Sequence, residues 1–350
     1  MAFSTIKKSI EYFNVNLYTG NGSSQSITGV GFQPDWVWLK ERSSTSPHKL
    51  LDAVRGATKE LESNSANAEA TEAQSLTAFD SDGFSVGSNG AVNENSQTYV
   101  SWNWKAGTTS GLSGGTITPT GYSINTTAGF GIYAYTGTGS VGTIAHGLGA
   151  KPNFIIQKRL NSNAAFTVYH DKFASDPATD YLYLNTNAAL NDYADHWNDT
   201  EPTSSVITLG TDTSVNGNGY PNIIYAFTEK KGFSKFGKYT GNGSTDGPFI
   251  YCGFKPAWVM TKKISGTADW LMRDHKRDFN GQWRDLYANN TNAETSPDSN
   301  TNSELYSNGL KLRMSHSNHN ESGGTYIFMA FAKEPFVADE TTNGVPATAR

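Results

Sequence analysis

Four groupings of residues in this 350-residue chain are of types that could carry chemistry. Asp80-x-Asp82-Gly83 matches the opening of a calcium loop, but a complete loop needs a third oxygen ligand and a bidentate glutamate at its twelfth position. Counted from Asp80, that position is Ala91. His316-x-x-His319 could bring two imidazoles onto one metal, yet it lies in the polar stretch SHSNHNESGG with no third ligand near it in sequence. Asp171, Asp195, Asp274 and Asp278 are carboxylates of the kind that pair across a glycosidase groove. Asp52, Asp171 and Asp274, however, occupy matching places in a repeated pattern, which favours a structural role. The expectation is therefore no catalytic residues, no cofactor and no bound metal.

The fourth grouping is glycine-rich. YTGNGS runs from Tyr18 to Ser23 and again from Tyr239 to Ser244, and YTGTGS runs from Tyr135 to Ser140. A phosphate-cradling loop would need a helix after the glycines, whose N-terminus faces the anion. No helical pattern follows any copy, so the motif reads as a tight turn using the positive φ that glycine tolerates. Aromatic side chains remain as ligand contacts, because Tyr and Trp stack on sugars and anchor interfaces. Trp197 in DYADHWNDTEP and Trp283 in FNGQWRD fall outside the shared strand pattern and are the two expected exposed platforms.

The elements that must position these residues come in three copies. Each hexapeptide is followed by a proline and then a lysine, giving Tyr18, Pro34, Lys40, then Tyr135, Pro152, Lys158, then Tyr239, Pro256, Lys262. An aspartate closes an apolar stretch downstream in KLLD, VYHD and LMRD, and each copy ends on an alternating aromatic strand, TYVSWNWK, NIIYAFTE or TYIFMAFAK. In DWVWLK the period of two puts Trp36 and Trp38 on one face and Val37 and Leu39 on the other. Asp82-Gly83 and Asn308-Gly309 between apolar runs are hairpin signals. HKLLDAVRGATKEL is the best helical stretch, but Gly56 and two β-branched residues interrupt it, so at most one helical turn is expected per copy.

The copies start 117 and 104 residues apart, far beyond the roughly 20–50 residues of solenoid repeats. Each is expected to be a domain: an arm at 1–12, β-sandwiches at 13–107, 129–232 and 233–336, and a tail at 337–350. The Gly, Ser and Thr tract at 108–128 reads as a flexible or extended linker. The predicted fold is all-β, three tandem antiparallel β-sandwiches of jelly-roll or lectin-like type.

Composition narrows the partners. There are 27 basic and 32 acidic residues for a net charge of −5, which disfavours nucleic acid and anionic membranes. No apolar run is long enough to span a bilayer, and the single cysteine, Cys252, rules out an internal disulfide framework.

The threefold set of YTGNGS, GFxPxWVxxK, LDAVRGATKEL and the closing GGTYIFMAFAKEPF resembles a family of repeat-bearing virion proteins of tailed bacteriophages, many from marine viruses. The resemblance runs from about Tyr12 to Arg350. It implies a non-enzymatic virion surface protein, either tail-fibre-like and receptor-binding or a capsid decoration, assembled in the host cytoplasm. It also implies contacts with other virion proteins, a homo-oligomer such as a trimer, and a host-surface glycan or protein as partner. A carbohydrate-binding lectin-like module is the alternative that the aromatic content suggests. No catalytic residues come with the resemblance.

Overall fold

Alternation in the strand Trp36–Glu41 explains how one strand serves two cores. Trp36 and Trp38 lie on one face and Val37 and Leu39 on the other, and all four are buried. The structure, a computed structural model, describes residues 4–173, 176–277, 284–295 and 302–335. Within it Trp36–Glu41 pairs antiparallel with Lys49–Asp52 and with Thr98–Trp104, and Phe13–Thr19 lies beyond Thr98–Trp104. The same strand order recurs in the second copy as Phe130–Thr136, Pro221–Phe227, Phe154–Arg159 and Thr167–His170. In the third it runs Ser234–Thr240, Thr325–Ala332, Pro256–Lys263 and Leu271–Asp274. All these pairings are antiparallel.

Each large sheet carries a small antiparallel sheet on one face. Ile27, Leu76, Phe84 and Val86 of the small sheet pack with Val37, Leu39 and Tyr99 of the large one. Ile144, Ile207 and Leu209 do the same against Ile155 and Ile224, as do Ile250, Leu310 and Leu312 against Val259 and Phe328. Both hairpin signals hold, with Asp80 opposite Gly83 and Tyr306 opposite Gly309. Helix among the described residues is confined to single turns, Ser9–Glu11, Gly90–Asn93, Thr213–Asn216 and Ser317–Asn320. The stretch after His48 is not helical: it gives the strand Lys49–Asp52, a turn, and the short strand Lys59–Glu60.

The opposite faces of the three large sheets meet in one continuous core. At its centre Trp104, Phe227 and Phe331, which hold the same place in the three closing strands, form a triangle with ring centroids 6.3, 6.0 and 5.7 Å apart. Trp36 stacks on Tyr225 at 4.6 Å and Trp258 meets Trp104 at 5.6 Å. Burying each such ring contributes up to about 3 kcal/mol, so the shared centre stabilises the packing of the three sheets on one another. The expectation of domains strung on a linker is corrected here. Gly121–Asn125, inside the predicted linker, pairs with Phe130–Thr136, and Thr108 and Ile117 bridge to Ile124 and Ile144. Ile6 of the expected arm is buried in the shared core. Residues 337–350 lie outside the described residues.

The repeated lysines close the ring. Lys40, Lys158 and Lys262 are fully buried and, among the described residues, donate only to backbone carbonyls, including Thr291 at 3.3 Å, Ala66 at 2.9 Å and Asn187 at 3.3 Å respectively. Each acceptor belongs to a neighbouring copy, so first reaches third, third reaches second, and second reaches first. The same three carbonyls also accept the backbone N–H of Ser46, Ala164 and Ala268.

Candidate functional site

The glycine motifs are structural. Asn93, Asn216 and Asn320, fully buried in the three helical turns, each accept the N–H of the third residue after the hexapeptide tyrosine, Asn21, Thr138 or Asn242, at 2.8–2.9 Å. Their amides donate back to the carbonyls of Ser23, Ser140 and Ser244. A side chain at Gly20, Gly137 or Gly241 would stand 2.2–2.4 Å from a backbone oxygen, and Gly22, Gly139 and Gly243 have φ near +70°. Gly137 to Gly142 spells GxGxxG, but a strand follows it. Gly111 to Gly115 spells the GxSxG of hydrolase elbows, yet no helix follows it.

The metal and carboxylate candidates are also absorbed. Asp82 accepts the N–H groups of Gly29 and Gly31 at 3.1 and 2.7 Å. His316 caps its helical turn through Asn318 N–H, while His319 faces Asp285 at 3.4 Å. Burial, then the Arg273 charge, holds the His319 imidazole down at about 4; burial alone would raise the Asp285 carboxyl, but Arg273 brings it to about 2. Among the described residues no three His, Cys, Asp or Glu side chains are placed to hold a metal. Asp274 binds Arg277 at 2.6 Å and the Trp102 indole at 3.0 Å; its equivalent Asp52 binds Arg55 at 2.5 Å and the Tyr225 hydroxyl at 2.7 Å. Asp171 instead accepts from Asn153 and Lys172. Asp195 is exposed beside Tyr193, and Asp278 lies outside the described residues. Among the described residues, Asp52, Asp171 and Asp274 are each engaged by partners of their own.

Trp197 corrects the sequence expectation: it is 1% exposed and packs edge-on against Tyr169, 5.9 Å between centroids, inside the second small-sheet core. Its place outside the repeated strands does not bring it to the surface, because the loop folds back over the sheet. Trp283 lies outside the described residues. The exposed aromatic of that loop is Tyr193, which with Tyr181 surrounds the imidazole of His196 at 5.2 and 4.4 Å. Phe249 and Tyr251 are exposed on the end strand Phe249–Tyr251.

A cleft of about 570 Å³ opens where the first copy meets the strand Gly121–Asn125. Gln33, Asp35, Ala53 and Val54 form one wall, and Lys105, Ala106, Gly107, Thr109 and Gly121 to Ser123 form the other. Asp35 ties the two together. Its Oδ2 accepts Ala106 N–H at 2.7 Å and its Oδ1 accepts the Ser123 hydroxyl at 2.8 Å, while Ser123 Oγ accepts Gly107 N–H at 2.8 Å. Burial raises the Asp35 carboxyl above its ordinary value, with Ser123, Ala106 and the Lys105 charge opposing. Lys105 makes no ion pair among the described residues; its ammonium lies 6.0 Å from the Phe32 ring.

The cleft is open because the chain departs from its own repeat there. Ala106 stands where the other copies carry Glu229 and Lys333, and Gly107, at φ +126°, adopts a backbone that excludes side chains. At the matching place in the third copy, Ala257, Lys333 and Glu334 line a space of about 190 Å³. Sequence reasoning missed these residues; the signal was Ala-Gly after the aromatic strand where the other copies have Glu-Lys and Lys-Glu.

Antiparallel sheets about a shared aromatic core define the class, an all-β protein of sandwich-like layers; no helix among the described residues is long and apolar enough to cross a membrane. The chain belongs to the family described as a domain of unknown function, DUF7483, which matches residues 8–335. No curated protein matches it.

Proposed function

We propose that this chain is a non-enzymatic surface protein of a tailed-bacteriophage virion, tail-fibre-like or receptor-binding, built from three jelly-roll or lectin-like sandwiches related by internal repeat. The observation that carries the reading is the closed ring: the three copies bury their outer sheet faces on one another, and the buried charges of Asp52, Asp274 and Asp285 are held in ion pairs with arginine. Such a body suits display in water without disulfides. The closed seam favours, as second reading, a compact capsid decoration, since the threefold packing is complete within one chain. The expected oligomer then uses another surface.

Immunogold labelling of purified phage particles tests both readings. Label on tail or capsid distinguishes them, and absence of the protein from particles overturns both.

A further inference from the structure

We infer that the cleft between Asp35 and Tyr122 is a binding site for a short neutral glycan. The assignment goes beyond virion display and holds for the isolated protein wherever it is located.

Volume comes first. About 570 Å³ falls within the 300–1,000 Å³ typical of small-molecule sites, enough for roughly two sugar rings. The lining then decides the chemistry. Tyr122 supplies an aromatic ring at the wall, half-buried and fixed because its hydroxyl accepts Leu112 N–H at 2.9 Å. Such a ring packs against the C–H face of a sugar. Gln33 and Thr109 are exposed at the cleft, and each offers both donor and acceptor, which is the pattern that sugar hydroxyls require. The ammonium of Lys105, which has no carboxylate partner among the described residues, adds a donor.

Charge selects against anions. A phosphate or sulfate site gathers several cations or a forked arginine; here the single ammonium of Lys105 is offset by the carboxylate of Asp35, and the chain as a whole carries −5. Small apolar residues, Ala53 and Ala106, leave room without making a greasy pocket that would favour a lipid. Ala106 itself is the informative position, since the other two copies carry longer side chains there, Glu229 and Lys333, where this cleft is lined by a methyl group.

Isothermal titration of the intact chain with neutral trisaccharides built on glucose, galactose, mannose or N-acetylglucosamine, alongside uronate- and sialate-bearing counterparts, tests the assignment. Binding of at least one neutral sugar is expected, weakened about tenfold or more by Tyr122→Ala and by Ala106→Glu. Tyr122→Phe should retain affinity within about threefold if the ring is what matters. Tyr193→Ala, at the other aromatic cluster, should leave it unchanged. Ala106→Glu keeps the proposal testable if Tyr122→Ala fails to fold, because the second copy carries glutamate, Glu229, at this place. Failure of the folded chain to bind any neutral sugar overturns the assignment, as does binding confined to acidic sugars, binding indifferent to Ala106→Glu, or binding lost in Tyr193→Ala. None of these outcomes bears on whether the protein is found in particles.

Discussion

Lys40 of the first copy ends on the backbone carbonyl of Thr291 in the third, 3.3 Å away, and makes no ion pair among the described residues. The carbonyl oxygens around it supply partial negative charge only, so the ammonium is hydrogen-bonded yet incompletely compensated for burial. Lys158 and Lys262 repeat the arrangement at the other two seams. The three lysines fix the order in which the copies meet, and they do so at an electrostatic cost.

That cost gives a pH signature. Burial, the largest cause, lowers each of the three lysines from 10.5 to about 8, with Glu41 opposing at Lys40, Arg159 adding at Lys158, and Asp269 opposing at Lys262. Between about pH 8 and 10.5 the unfolded chain therefore binds more protons than the folded one, and stability rises with pH across that window. The penalty is fully present below pH 8. Above about pH 10 the trend reverses, because Tyr18, Tyr133 and Tyr225 are held by burial above the ordinary tyrosine value and ionise first in the unfolded chain. Lys49, raised by Glu60 and Glu62 against the opposing effect of burial, subtracts from the rise. Urea unfolding at steps from pH 7 to 11 should show a maximum near pH 10, and Lys40→Met should remove up to about one proton, roughly 1.4 kcal/mol per pH unit, from the slope. An unchanged slope in Lys40→Met would contradict the assignment.

The shared core predicts cooperativity. Separate sandwiches on a linker would melt independently, whereas sheets that meet at Trp104, Phe227 and Phe331 should unfold together. Scanning calorimetry should give one transition with matching calorimetric and van't Hoff enthalpies. Tyr225→Phe, which removes the hydroxyl that donates to Asp52 and accepts from Arg55 between the second and first copies, should lower stability by about 1–2 kcal/mol without splitting the transition.

The hexapeptide turns depend on one buried amide each. Asn216 donates to Ser140 at 2.7 Å and Gly210 at 2.9 Å while accepting from Thr138 at 2.8 Å. Asn216→Ala strands all three groups and should cost about 2–4 kcal/mol. Asn216→Asp keeps the acceptor but loses the two donor bonds and buries a charge, so it should be no better than alanine at pH 7. Denaturant midpoints of the two variants would decide this, with rescue by aspartate refuting the donor role.

Much of this was legible in the sequence because strands impose a period of two. Alternation alone puts Trp36 and Trp38 on one face, and the Asp-Gly and Asn-Gly pairs give the two hairpins. What alternation does not reveal is what covers a face. Val37 and Trp38 are equally apolar, and nothing local says that one meets its own small sheet and the other two neighbouring copies. The connector misled for a related reason: Gly, Ser and Thr at 108–128 carry no apolar stripe, yet Gly121–Asn125 is held by backbone pairing to Phe130–Thr136, which composition does not encode. The cleft was invisible because it is defined by what is missing, the long charged side chain, Glu229 or Lys333, that the other copies carry in place of Ala106.

Trp197 is where loop position and burial part company, and it yields the sharpest contrast with a ligand platform. Its indole is 1% exposed against Tyr169, and its N–H finds no acceptor among the described residues. Trp197→Ala should open a cavity in the second small-sheet core and cost about 3–5 kcal/mol. Trp197→Phe, which also removes the unpartnered N–H, should recover more than half of that loss. A platform residue would behave the other way, with both variants near wild-type stability and sugar affinity lost in Trp197→Ala. Urea unfolding of the two variants, with trisaccharide titration of whichever remains folded, separates these outcomes, and intact stability in Trp197→Ala would contradict the core assignment.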